Sequence, residues 1–155
     1  MKSNYKKIIL ILLKVVFIIY VAILAYFVFF SERYGRDMVH TEYRYNLTMF
    51  KELGRFFKYR KNIGLEGFIV NMFGNILAFA PFGFLFPAIS KDRRKLKDVI
   101  LNIFFFSLSI ELIQLISKVG VFDVDDLFMN TLGGLLGFLT FKMVNFFRKR
   151  IMIIR

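Results

Sequence analysis

The sequence contains no cysteine and a single histidine, His40. Without cysteine there are no disulfides and no thiolate metal sites, and one imidazole cannot found a histidine-based metal cluster. Acids are scarce as well: 11 Asp and Glu stand against 23 Lys and Arg, for a net charge of +12. An excess of that size raises the question of nucleic acid. The cations, however, sit in short clusters between apolar runs instead of along one polar face, which is the pattern of membrane topology signals. Nucleic acid is therefore not an expected partner. No internal repeat or low-complexity tract is present.

What the chain does have is apolar surface: 57% of its 155 residues are hydrophobic and 22 are Phe. A soluble domain of this length has no core large enough for that many apolar side chains, whereas a bilayer accepts them on every outward face. The expected fold class is all-α, a single membrane domain over residues 1–155 with four transmembrane helices. A span needs about 20 apolar residues, and the candidate runs are 8–30, 68–89, 99–116 and 127–147. The first has only Lys14 as a charge and outruns a signal-peptide core, so it reads as a retained anchor. The second carries Asn71, Asn75, Pro81 and Pro87, and the third Glu111 and Gln114. Pro81 is expected to kink its helix by removing a backbone donor, and Pro87 to mark its cytoplasmic end.

Orientation follows the cations. The N-terminus, the 90–98 loop and the tail together hold twelve Lys and Arg, against nine in 31–67 and 117–126. The bias predicts both termini in the cytoplasm of a multi-pass protein of the bacterial cell membrane, with 31–67 and 117–126 outside. Within 31–67, the stretch from Asn46 spaces Leu47, Phe50, Leu53 and Phe57 helically, with Lys51, Glu52, Arg55 and Lys58 mostly opposite. That pattern predicts an amphipathic helix lying in the outer interface, its cations toward lipid phosphates or its apolar face packed on the bundle.

Polar side chains in spans need partners or water. Asn71 and Asn75 share a face near the outer end of the second span, and Ser107, Glu111 and Gln114 share one near the outer end of the third. Asp123, Asp125 and Asp126 lead into the fourth, with Asn130 one turn on. These groups are expected to gather at one depth, as a cavity for a ligand or as hydrogen-bonding glue between helices. One Asp, Asp125 or Asp126, suffices to cap the fourth helix. The remaining carboxylates permit coordination of a hard cation or the grip of a cationic ligand, though no metal site or cofactor is assigned. Gly133 and Gly137, with Gly134 between them, allow close helix packing.

These residues carry a resemblance. Asn46-Leu47 before Phe50, the run from Asn75 through Pro81 to Gly83, Glu111-Leu-Ile-Gln114, and Asp123-Val-Asp-Asp126 leading to Asn130 and Gly133-Gly134 occur in an order and spacing similar to the VanZ-like family. Met49 and Val121 depart from that pattern, where members often have Pro and Arg. The resemblance implies a multi-pass envelope protein connected with low-level resistance to teicoplanin-like glycopeptides. The implied partner, besides the bilayer, is the drug or a cell-wall lipid precursor held in an outward-facing polar cavity formed by Asn71, Asn75, Glu111, Gln114, Asp123, Asp126 and Asn130. Two alternatives stay open: an enzyme acting on a lipid-linked substrate with Glu111 and Asp126 as acid and base, and a small proton-coupled transporter. Oligomeric state is not specified by the sequence.

Overall fold

The computed structural model describes residues 2–30, 41–90 and 95–154. Four helices account for most of these: α1 (Lys2–Phe30), α2 (Lys51–Ile89), α3 (Leu96–Ser117) and α4 (Val124–Ile154). Two short strands, β1 (Tyr45–Asn46) and β2 (Phe122–Asp123), stand just before α2 and α4. Among the described residues, three stretches are long and apolar enough to cross a membrane: Asn4–Phe30, Leu96–Ser117 and Val124–Arg148.

The run expected over 68–89 lies within α2, and its described apolar stretch is Phe73–Ile89. Helix α2 reaches it by a long approach that breaks at Gly64, whose φ of 73° and ψ of 169° belong to a region open to glycine and hardly any other residue. Backbone angles stay helical through Pro81 and Pro87 to Ile89, and the non-helical angles inside α2 are those of Gly64.

The amphipathic helix expected from Asn46 begins later, at Lys51. Asn46 belongs to β1, and Phe50 is the residue before the helix, held left-handed at φ 62°. Its ring stands edge-on to Phe128 at 5.7 Å, so Phe50 packs on α4 and not on the helical stripe assigned to it. The strands explain the shift. Tyr45 pairs with Phe122 and Asn46 with Asp123 in a parallel bridge, which fixes the backbone as extended up to that point.

Packing is closest between α2 and α4. A Cβ on Gly83 would run into the carbonyl oxygen of Gly134, one on Gly137 into that of Ala80, and one on Gly133 into the backbone of Ile76. The glycines thus let two helix backbones touch directly, as their spacing predicts. Around this seam lie the buried side chains Phe79 and Phe82 of α2, Val99 and Ile103 of α3, and Phe138 and Phe141 of α4. Offset stacking of Phe82 on Phe106 at 5.0 Å joins α2 to α3.

Helix α1 is peripheral, with 6% of its spanning window buried against 33% and 39% for those of α3 and α4. Its attachments include the buried side chain of Leu24, Phe17 edge-on to Phe82 at 5.3 Å, the Tyr20 hydroxyl donating to the Ala78 carbonyl at 2.7 Å, and the Gln114 amide donating to the Val28 carbonyl at 3.2 Å.

Candidate functional site

The chain ends of the helices that meet β1 and β2 build a polar layer. Asp123 ends β2 and precedes α4, and its Oδ1 accepts the N–H of Asp125 at 2.8 Å, so Asp123 is the N-cap of α4. The same oxygen accepts from the Asn46 side-chain amide at 3.1 Å. The Asp123 N–H in turn donates to Glu111 Oε2 at 3.0 Å. Asn46 turns its own Oδ1 to the Thr48 N–H at 3.2 Å. All three of these side chains are buried: Asn46 6%, Glu111 2% and Asp123 7% exposed.

Asp125 does not cap the helix it belongs to. Its carboxylate accepts the N–H of Phe50, that of Glu52 at 3.0 Å and that of Leu53 at 3.4 Å, and so caps α2 from across the fold. Phe50 supplies no side-chain cap of its own. An anion at this place meets the positive end of the helix dipole as well as the orphan donors. The side chain is 2% exposed. Local sequence offered no signal for this pairing, because the partners are more than seventy residues apart.

Asp126 and Asn75 form a second unit, with the Asn75 amide donating to Asp126 Oδ1 at 2.6 Å. They line a cleft of about 490 Å³ between α1 and α2, about midway along its α2 wall. Its walls are apolar, including Tyr20, Leu24 and Phe27 of α1 and Val70, Leu77 and Pro81 of α2. A third unit lies deeper in the bundle, where the Asn130 amide donates to Ser107 Oγ at 2.8 Å and the Asn130 carbonyl oxygen is buried without a hydrogen-bond partner among the described residues.

The residues predicted to share one cavity are thus brought to one end of the bundle but arranged in separate units. Asp123 and Glu111 join each other through a backbone N–H, Asn75 joins Asp126, Asn130 joins Ser107, and Gln114 reaches α1. The side chain of Asn71 and the whole of His40 lie outside the described residues. Asn46 and Asp125 are the additional members, and Ser107 gains a partner. Among the described residues no three His, Cys, Asp or Glu side chains stand together as a metal site.

Burial pushes the Asp123 carboxyl above the usual aspartate range. The Asp125 N–H and the Asn46 amide pull it part of the way back, and the nearby charges of Asp125 and Glu52 raise it further. A group raised in the folded state costs stability when ionised. That cost is fully present above the folded pKa and is relieved as pH falls through it toward the unfolded value of about 3.9. Asp123→Asn keeps an oxygen acceptor for the Asp125 N–H, so it is expected to fold and to lose this acid-side gain. Thermal melts of both proteins from neutral pH down to about 4 check the prediction, and parallel pH profiles would refute it.

A comparison with curated proteins and one with solved structures each found no match. Residues 17–147, which include every element from the middle of α1 to α4, match the family model described as VanZ/LLP1. The ordered motifs and the extent of that match place the chain in one family: it belongs to VanZ/LLP1.

Proposed function

We propose that this protein is a four-span envelope protein with cytoplasmic termini whose outer polar layer binds an acylated envelope molecule, either a teicoplanin-like glycopeptide or a lipid-linked wall precursor. The observation that carries this reading is the Asn75–Asp126 pair in the wall of an otherwise mainly apolar cleft of about 490 Å³. It offers a carboxylate and a hydrophobic trough side by side, which matches an amine-bearing molecule with an acyl chain. The other acids of the layer serve backbone N–H groups instead: Glu111 that of Asp123, Asp123 that of Asp125, and Asp125 those of α2. That use favours binding over an acid–base role for Glu111.

In this arrangement the 68–89 part of α2 is the fourth span, about 33 Å long at 1.5 Å per residue, enough to cross the hydrocarbon core. The first part of α2, with Lys51, Arg55, Lys58, Arg60 and Lys61, lies in the outer interface beside the phosphates. Gly64 supplies the turn from the surface into the membrane.

The test is expression in a susceptible host, with inhibition by teicoplanin and by vancomycin measured for wild type, Asp126→Asn and Glu111→Ala. Wild type is expected to shift the teicoplanin response selectively, and Asp126→Asn to abolish the shift at equal protein level. Equal shifts for both drugs, or a wild-type response unaffected by Asp126→Asn, would contradict the reading.

A further inference from the structure

We infer that the first part of α2, residues 51–62, is a docking face for anionic phospholipid headgroups, which it gathers in preference to zwitterionic ones. This deepens the reading above and rests on it for the placement of the segment at the membrane surface.

The segment is turned out of line with the rest of α2. In a straight helix Phe57 and Phe68 would stand roughly 16 Å apart along the axis at 1.5 Å per residue, yet their rings meet edge-on at 5.5 Å. The chain therefore bends sharply between them, where Gly64 holds φ 73° and ψ 169°. At its start the segment is held by the Asp125 carboxylate, which accepts the N–H groups of Glu52 and Leu53. A helix held at one end and folded back at the other gives its outer face a fixed place on the fold.

That face is cationic. Lys51, Arg55 and Lys58 follow one another at i, i+4 and i+7 with Lys61 beside them, all exposed, while the half-buried Glu52, Leu53 and Phe56 centre on the other side. Glu52 is the one acid of the segment, and it is bridged to Arg55 at 2.6 Å. Lys51, Lys58, Arg60 and Lys61 have no ion-pair partner among the described residues. Four such cations beside a span are attracted to an acidic lipid surface, each adding to the affinity.

Exposed apolar groups decide between a lipid surface and a soluble polyanion. Phe57 is 55% exposed, Tyr59 49%, and Leu65, just past the bend, 76%. Lys58 lies over the Tyr59 ring at 5.7 Å, and Arg55, Phe56, Tyr59 and Asn62 line one shallow hollow. Cations and rings thus share a surface. A soluble polyanion would meet the charges and leave the rings in water, whereas a headgroup layer takes both.

The chain has no Trp, so Tyr59→Trp places a fluorophore on this face without background and keeps a ring under Lys58. The full chain carrying it is reconstituted in vesicles of equal parts phosphatidylcholine and phosphatidylglycerol, with the acyl chains of one lipid or of the other brominated. Either orientation in the vesicle serves, because both leaflets hold both lipids. Quenching reads which lipid lies beside residue 59. Brominated phosphatidylglycerol is expected to quench as though enriched about fivefold, and the preference to fade in about 1 M salt. Lys51→Gln, Lys58→Gln and Lys61→Gln, combined in the same background, are expected to remove the preference with the melting temperature held, since these side chains are exposed and Gln is about as good a helix former as Lys.

Strong but equal quenching by the two lipids, or a preference that survives in the triple variant, would overturn the inference and leave the surface placement of the segment standing. Absence of quenching by either lipid would remove that placement and the inference with it. Equal quenching together with a shift of Trp emission on adding sodium polyphosphate would assign the face to a soluble polyanion instead.

Discussion

Replacing Gly137 by leucine is expected to abolish folding, and replacing it by alanine to destabilise the protein by about 1–3 kcal/mol or more. A Cβ on Gly137 would lie against the Ala80 carbonyl and the Phe84 backbone nitrogen. Those atoms are main chain, so no rotamer change can relieve the overlap and the two helices must separate. Separation would also open the core formed by Phe79, Phe138 and Phe141. Gly83→Ala should behave alike, since its Cβ would meet the Gly134 carbonyl group. Gly54→Ala is the control, because nothing lies within 4 Å of that position and the substitution favours the helix by about 1 kcal/mol. Thermal melts of detergent-purified variants provide the comparison. Gly137→Ala melting level with wild type would disprove the close α2–α4 contact.

Asp125→Ala is expected to cost about 2–4 kcal/mol, more than an ordinary cap, because it strips acceptors from several donors at once. The N–H groups of Phe50, Glu52 and Leu53 all face this buried carboxylate. Asp125→Asn should fall in between, since one oxygen acceptor remains. Amide hydrogen exchange at residues 50–53 reads the effect locally. Faster exchange there, with α3 little changed, is the predicted pattern. Uniform acceleration across the chain would mean that Asp125 acts on global folding and not on the start of α2.

The membrane-like helices were legible because long apolar runs with flanking cations suit a bilayer and little else. The close seam was legible too, since small residues four apart on an apolar helix have one common use. The start of α2 was not. Helical spacing carries Leu47 and Phe50 into an amphipathic stripe, but the bridge between Asn46 and Asp123 and the cap from Asp125 place the boundary at Lys51. Both are contacts between distant segments, and a strand of two residues leaves no period to read. The break at Gly64 had a faint signal, a glycine inside a helical pattern, which is compatible with a plain helix as well. Within the polar layer, residue types and depth were readable, whereas the division of labour was not. Asp123, Asp125 and Asp126 are nearly adjacent in sequence, yet they serve α4, α2 and the α1–α2 cleft respectively.

The polar layer and the basic start of α2 lie at the end of the bundle where β1 meets β2, and the proposed function requires that end to face outward. Single cysteines give the most direct test, because the native chain has none to interfere. Tyr45→Cys marks the strand end and Lys95→Cys the opposite end, before α3. With an impermeant maleimide applied to intact cells, Tyr45→Cys should label at once and Lys95→Cys only after permeabilisation. Labelling of Lys95→Cys in intact cells, with Tyr45→Cys protected, would place the whole layer in the cytoplasm and contradict an outward-facing site.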